Sequence, residues 1–445
     1  MNNTRGTDPR LRERDEMNTR LRALFCDHLS IMRGKYLPGS KIGDGYTRFC
    51  RSNFGVHYDK DLLNSPGSMM MEGLPDMVLH WRGDEIRDSW DRATKIVVGD
   101  LYDTDGAPLP MCGRGALKRA VADWGKLGLT PKVGIELEAF AMIADDEGRL
   151  RPYDTPGAHV YGTGPFTDPL RFNDAIWEKA DELGFSLDLI TSEYDSPQFE
   201  YTLTFDDAVK AVDDIVLFRL MAREIALEHG VVLTFMPKPI ATAGGSGMHI
   251  NFSFVDEAGG NALSDGPKGG PDHMNALAKG CVAGLLRHHK GLAGLIAPTA
   301  NSYQRLQPGS LSGHLCNWGG DHRNVTTRIS SEGGAKARLE HRMADASSNP
   351  YVAVAAVLQA ARLGFAGGYD LPAMETGDGF ETWDAKEATA LNLKGAVADL
   401  KADTALTQAV GSLLVENHVF MKEHEVKKTR DLEGDALRDF YIWFV

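Results

Sequence analysis

The sequence has no long hydrophobic run. No apolar stretch approaches the roughly 20 residues that a membrane-spanning helix needs, and the polar start MNNTRGTDPRLRERDEMN lacks a signal-peptide core. A cytoplasmic protein with no membrane partner is predicted. Positive charge is scarce as well: 48 Lys and Arg face 62 Asp and Glu, a net charge of −14. That balance excludes nucleic acid as a partner, since phosphate backbones are held by concentrated Lys and Arg. Cysteine is sparse. Cys26, Cys50, Cys112, Cys281 and Cys316 are odd in number, scattered and without paired metal-ligand spacing, so they read as reduced thiols. Two phosphate-binding signatures are missing too: no G-x-G-x-x-G follows a first strand, and no Gly-Lys-Ser/Thr closes the glycine-rich segment at 244–247. No internal repeat or low-complexity tract is found.

What is present is ordinary globular composition, 42% hydrophobic and 25% charged, in a 445-residue chain too long for one simple core. Residues 1–15 read as a frayed arm. Residues 21–38 read as strand, turn and strand punctuated by Gly34, and KIVVGDL at 95–101 as a further strand, giving a small sheet domain over 16–105. The turn-rich DTDGAPLP marks the boundary to a larger domain, 106–445. Helices are predicted over 116–127, 174–183 and 207–229, closed by Gly128, Gly184 and Gly230. SSNP opens an Ala- and Val-rich helix over 347–363, buried on most sides. Residues beyond 385 read as helical, and the apolar end FYIWFV requires docking, internally or on another subunit.

The chemistry lies in four strand-like stretches. In KVGIELEAF (132–140), Val133, Ile135, Leu137 and Ala139 alternate with Gly134, Glu136 and Glu138, so both carboxylates share one face, about 7 Å apart. A solvated acidic face reads the same way when taken alone. SEYDSPQFE adds Glu193 and Glu200, the latter opposed to Phe199, Tyr201 and Leu203. In GGSGMHINFSF (244–254), His249, Asn251 and Ser253 oppose Ile250, Phe252 and Phe254, and the glycines allow close backbone approach to a ligand. KARLEHRM (336–343) sets Arg338, Glu340 and Arg342 on one face. Either this is a surface salt-bridge ladder, or it is a buried face that needs an anion and a metal to balance it. Arg305, Arg323 and Arg328 lie just upstream. Five carboxylates (Glu136, Glu138, Glu193, Glu200, Glu340) and one imidazole suit two hard divalent cations, Mg²⁺ or Mn²⁺ rather than zinc. A ring of Arg beside them is the inventory for phosphoryl transfer.

In order and spacing these segments resemble the glutamine synthetase family: E-x-E, the E…Q-x-E pair, G-S-G-M-H, N-S-Y-x-R, R-x-E-x-R and NPY, over nearly all of the chain. The resemblance implies an α+β fold, with an N-terminal β-grasp domain followed by a large catalytic domain whose curved antiparallel sheet is flanked by helices. It implies a carbon–nitrogen ligase that uses ATP, L-glutamate and two or more Mg²⁺ or Mn²⁺ ions per site. It also implies a homo-oligomer, a dodecamer of two stacked hexameric rings, with active sites between subunits. By the same likeness Glu138, Glu193 and Glu200 ligate the metal nearer the amino acid, and Glu136, His249 and Glu340 the metal nearer the nucleotide. Arg305 and Arg342, with Gly245, hold the substrate. Arg323, Arg328 and Arg338 hold phosphate, while Phe205, Ser253, Lys336 and Arg338 contact the nucleotide.

Three departures from the family pattern stand out. Leu311, in QPGSLSGHLCNWG, replaces the flap Glu that serves ammonia, which favours a bulkier amine packed near Leu311, His314 or Trp318. Gly244 replaces an Asn that touches the amino acid. GGYDLPAMETG lacks the surroundings of an adenylylated tyrosine. These lean toward γ-glutamyl-polyamine and related amide synthetases acting in amine catabolism, with an ammonia-using glutamine synthetase and a catalytically inactive structural relative as the alternatives; the six intact metal-ligand positions argue against the latter. Asp59 and Asp61, from a neighbouring subunit and supported by Asp76, are the expected groups to hold the ammonium and accept its proton.

Overall fold

The computed structural model describes residues 19–155 and 157–445. The arm expected at 1–15 lies outside them. The first part of the chain builds two small sheets. One has the order β2-β1-β6-β5, from β1 (Arg20–Cys26), β2 (Met32–Pro38), β5 (Arg87–Asp88) and β6 (Thr94–Val98). The other has the order β3-β4-β7, from β3 (Tyr46–Cys50), β4 (Asp76–His80) and β7 (Asp100–Asp103).

Two expectations are corrected here. The first turn falls at Asp27, whose Oδ1 accepts from the N–H groups of Leu29 (2.8 Å) and Ile31 (3.0 Å), whereas Gly34 lies inside β2 opposite Leu24. KIVVGDL is not one strand. It breaks at Gly99, whose N–H goes to the Leu24 carbonyl at 3.0 Å, and its halves join different sheets.

Next come α1 (Gly113–Gly125), β8 (Thr130–Ala144), β9 (Leu150–Pro152), α2 (Phe172–Glu182), β10 (Leu187–Ser192), β11 (Gln198–Asp207), α3 (Ala208–Glu228), β12 (Val232–Thr234) and β13 (Met248–Val255). α1 starts three residues earlier than expected because Cys112 caps it, its sulfur accepting from the Gly115 N–H. After α4 (Ala276–Arg287), α5 (His289–Ile296) and α6 (Ser302–Arg305) come β14 (Trp318–Gly320), β15 (Thr327–Ile329) and β16 (Leu339–His341). Strands β8 to β16 form one nine-stranded sheet with the path β10-β11-β8-β13-β16-β15-β14, β9 and β12 pairing with β8. It is antiparallel except between β14 and β15.

Helices close the chain: α7 (Pro350–Gly367), α8 (Leu393–Ala402), α9 (Thr404–Val410), α10 (Ser412–Thr429) and α11 (Gly434–Tyr441). Pro350 occupies the first turn of α7, and Asn349 caps it, accepting from the N–H groups of Tyr351 and Val352. α7 is long and apolar enough to cross a membrane, but it is largely buried within the protein. Helix does not start at 385. It begins at Leu393, where Asn392 accepts from the Gly395 N–H at 2.9 Å.

The apolar faces of β8, β11 and β13 meet these helices in one continuous core. The other face is thereby left for polar side chains. The apolar end docks internally: Val445 and Ile442 are buried, and the Val445 carbonyl accepts from Thr234 Oγ1 at 3.0 Å. All five cysteines are unpaired.

Candidate active site

Register decides which side chains meet. β8 is the central strand: Glu138 lies opposite Glu200 of β11, and Glu136 opposite both Thr202 of β11 and His249 of β13. β16 completes the wall by pairing Glu340 with Asn251. Strands remote in sequence therefore deliver three carboxylates to one imidazole. His249 Nδ1 lies 3.2 Å from Glu136 and 3.6 Å from Glu340, and its Nε2 lies 3.6 Å from Glu138. Ligand-capable atoms of Glu136, His249 and Glu340 fall within 4.8 Å of one another, as do those of Glu138, Glu200 and His249.

The charges are not balanced by protein alone. Burial pushes the Glu200 carboxyl up to about 7, and the negative charges of Glu136, Glu138 and Glu193 add to it against the pull of His249. Burial and the charge of Glu138 likewise raise Glu193. At Glu136 burial acts upward, but the bonds from His249 and Asn251 and the charge of Arg342 outweigh it and hold the group at about 2. Carboxylates that resist ionising beside one another call for a cation. The donor set, oxygen-rich with one imidazole, fits a hard divalent ion. Two buried guanidinium nitrogens, Arg328 Nε and Arg342 Nε, also lack a partner among the described residues, leaving donors for an anion.

Arg328 and Arg342 both bond Glu340, Arg328 at 3.1 Å, and Arg328 also reaches Asp321 at 2.9 Å. Arg305 is buried, donating to the carbonyls of Met343 (2.7 Å) and Arg342 (3.0 Å). Gly245 and Gly247 face it so closely that an added Cβ at Gly245 would lie 2.5 Å from Arg305 Cγ, and one at Gly247 2.7 Å from Arg305 Nη2. Leu311 is 47% exposed. Its loop is held by Ser310, whose hydroxyl donates to the carbonyls of Gln307 (2.6 Å) and Arg305 (3.2 Å).

Other expected residues sit at the margin or elsewhere. Arg323 is exposed and acts on Glu193 through its charge. Ser253 is half-buried opposite Lys132. Phe205, on the apolar side by alternation, is 67% exposed because β11 bulges between Leu203 and Asp206. The strand expected over 336–343 shrinks to β16. Lys336 lies in a single 3-10 turn, exposed and 3.2 Å from Glu332, and Arg338 also turns to Glu332, at 2.6 Å. His314 and Trp318 are both buried and bonded, His314 to Thr389 at 2.8 Å and Trp318 to the Pro372 carbonyl at 2.9 Å.

Asp59 and Asp61 are already engaged in their own chain, 2.9 and 2.7 Å from Lys428. Although burial acts upward, the bond from Lys428 and its neighbours hold Asp59 at about 2. Asp59 is thereby a poor acceptor for an alkylammonium proton, though the pair does hold an ammonium, that of Lys428. Their expected support, Asp76, lies 3.8 Å from Arg48.

Three supporting residues were not singled out from the sequence. Asn251 donates to Glu136 at 2.9 Å, and Gln198 to Glu138 at 3.4 Å and to the Gly245 carbonyl at 3.0 Å. Asp195 accepts the Gly244 N–H. Asn251 and Gln198 occupy the same alternating faces as His249 and Glu200, and that was the available signal.

Residues 110–440 match the family described as glutamine synthetase, catalytic domain. The glutamine synthetase of Clostridium saccharobutylicum is 32% identical, over 87% of this chain and 84% of that protein. That of Halobacterium salinarum is 28% identical, over 95% and 93%. Among solved structures, one described as a novel glutamine synthase homolog superposes with a TM-score of 0.83 at 25% identity, covering 96% of this chain and 99% of that one. Another, described as apo GmaS without ligand, gives 0.81 at 26% identity, covering 98% and 100%.

Proposed function

The chain belongs to the glutamine synthetase family of ATP-dependent carbon–nitrogen ligases, and from that premise we propose that it joins the γ-carboxylate of L-glutamate to an organic amine larger than ammonia. The γ-carboxylate oxygen attacks the terminal phosphorus of ATP, the bond to ADP breaks, and γ-glutamyl phosphate forms. The neutral amine nitrogen then attacks the acyl carbon, and phosphate leaves. Divalent metals, when bound, neutralise the phosphate and carboxylate oxygens that must approach one another. Glu138, Glu193 and Glu200 would hold one ion, and Glu136, His249 and Glu340 the other.

Arg328 and Arg342, each with an Nε donor free, are assigned to anion binding, as are Arg323 at the rim and Arg338 at the nucleotide end. Arg305, locked to two carbonyls, fixes the floor against which Gly245 presents its backbone to the substrate. Phe205, Ser253 and Lys336 line the nucleotide side. Water must be excluded while the acyl phosphate persists.

The observation that carries an amine over ammonia is Leu311. A hydrocarbon at the flap position neither attracts a small cation nor accepts its proton. A structural neighbour described as a GmaS/ADP complex, with a TM-score of 0.81 at 25% identity, supports an adenine nucleotide as cosubstrate. The departure at Gly244 also has a steric reason: a Cβ there would lie 2.9 Å from Asp195 Oδ2. Polyamines are the first amines to try, with the stacked-ring dodecamer as the working assembly. A second reading, an ammonia-using glutamine synthetase, is favoured by the names of the curated relatives. Phosphate release with glutamate, ATP and a panel of amines separates the two. Larger amines are expected to outrun ammonium in the wild type, and Leu311→Glu to shift preference toward ammonium. Glutamine formation at low ammonium with no response to larger amines would establish the second reading.

A further inference from the structure

We propose a second metal site, separate from the carboxylate cavity, where the loop after β3 meets α10: His57, Asp59 and His424, flanked by Asp61, take one Zn²⁺-like ion. One ligand-capable atom from each of His57, Asp59 and His424 lies within 4.8 Å of the others. Two imidazoles and a carboxylate are the donors of a borderline transition metal rather than of Mg²⁺.

The surroundings are built as they are around metal-bound histidines. The His57 side chain is fully buried, and its Nε2 faces Glu425 Oε2 at 3.6 Å. Glu425 is itself fixed by Lys422 at 2.7 Å and by the Tyr441 hydroxyl at 2.6 Å. A carboxylate behind one imidazole nitrogen can take up the ring's remaining proton once the other nitrogen binds a metal. Nδ1 lies within hydrogen-bond distance of Asp59 Oδ1, at 3.3 Å, and is the ring nitrogen that a metal here would take in place of its proton. His424 Nε2 is buried without a hydrogen-bond partner among the described residues and lies 3.7 Å from Asp59 Oδ2, which Lys428 approaches at 2.9 Å from the other side. A metal ion among these atoms would take the place of the Nδ1 proton and of the Lys428 ammonium and would give His424 Nε2 a partner.

Lys428 is the built-in competitor. Its ammonium reaches Asp59 and Asp61 from the solvent side on a side chain 40% exposed, and it can swing away. The alternative occupant is a second proton on His57.

The test uses full-length protein stripped of metal and then held in excess Mg²⁺ to fill the catalytic cavity. Co²⁺ is titrated while its d–d absorption is read, and bound Zn²⁺ is counted by elemental analysis in parallel. One equivalent with low-symmetry, intense Co²⁺ bands is expected. It persists in Glu340→Ala, is lost in His424→Gln, and tightens on the order of tenfold in Lys428→Met, where a competing charge is gone. The gain in Lys428→Met cannot arise from misfolding. Absence of the signature from both wild type and Lys428→Met, showing that a proton occupies His57, overturns the site. So does a signature that survives His424→Gln and disappears with Glu340→Ala.

Discussion

Asn251 donates its side-chain amide to Glu136 Oε1 at 2.9 Å, which leaves Glu136 Oε2 to His249 at 3.2 Å. The amide fixes the carboxylate's rotation without ligating anything, so its removal tests positioning apart from ligation. Asn251→Leu is expected to weaken Mn²⁺ binding roughly 10–100-fold, the usual effect of losing a group behind a ligand. Its melting temperature is expected to stay near wild type. Calorimetric Mn²⁺ titration reads the result, and unchanged affinity would remove Asn251 from the site.

Gly245 and Arg305 are in closer contact than any side chain permits. Arg305 cannot retreat, because its two terminal nitrogens are bonded to the carbonyls of Met343 and Arg342. Gly245→Ala is therefore expected to displace either the guanidinium or the 244–247 backbone, raising the KM for glutamate at least tenfold. Steady-state kinetics with glutamate varied checks it. A KM within twofold of wild type would show that the backbone gives way harmlessly.

Glu340 is shared by two guanidinium groups and by the proposed nucleotide-side metal set. Glu340→Ala leaves Arg328 and Arg342 without their carboxylate, a loss worth about 3–5 kcal/mol for a buried pair. ADP release with any amine is expected to cease. Glu340→Gln separates the effects: it keeps the packing and recovers stability, and it is still expected to lack turnover. Full activity in Glu340→Gln would contradict metal ligation by this residue.

How much of this was legible in the sequence depended on the range of the interaction. Period-two alternation placed Glu136, Glu138, Glu200 and His249 on the correct faces, since each strand's apolar half must find the core whatever its neighbours are. Alternation failed where strands were short or bulged. Lys336 and Arg338 precede β16 and turn to Glu332, and Phe205 sits at the bulge in β11. The pairing of Asp59 and Asp61 with Lys428 was not legible, because Lys428 comes from α10, near the other end of the chain, and no local pattern records it. Gly34 looked like a turn, but Asp27, with a side chain able to bond the backbone two and four residues on, makes the turn instead.

Four buried histidines make the fold sensitive to mild acid. Burial pulls His28 and His289 down to about 4, and His341 and His418 down to about 3, from an ordinary value of 6.5. In the folded chain they stay neutral, while in the unfolded chain they take up protons below pH 6.5. Their contribution is complete above that pH and is lost as pH falls toward the folded values, each histidine losing on the order of 1 kcal/mol by pH 5.5. Glu200 works in the opposite sense in the metal-free protein, since its raised pKa penalises the fold near neutrality and relaxes as pH falls. The measurement is therefore made in saturating Mg²⁺. The urea midpoint is expected to drop between pH 7.5 and 5.5. His418→Gln, whose amide can still donate to the Gly294 carbonyl now bonded at 2.8 Å, is expected to show a shallower drop. Identical pH slopes for the variant and wild type would mean that His418 titrates alike in both states, and that acid sensitivity arises elsewhere.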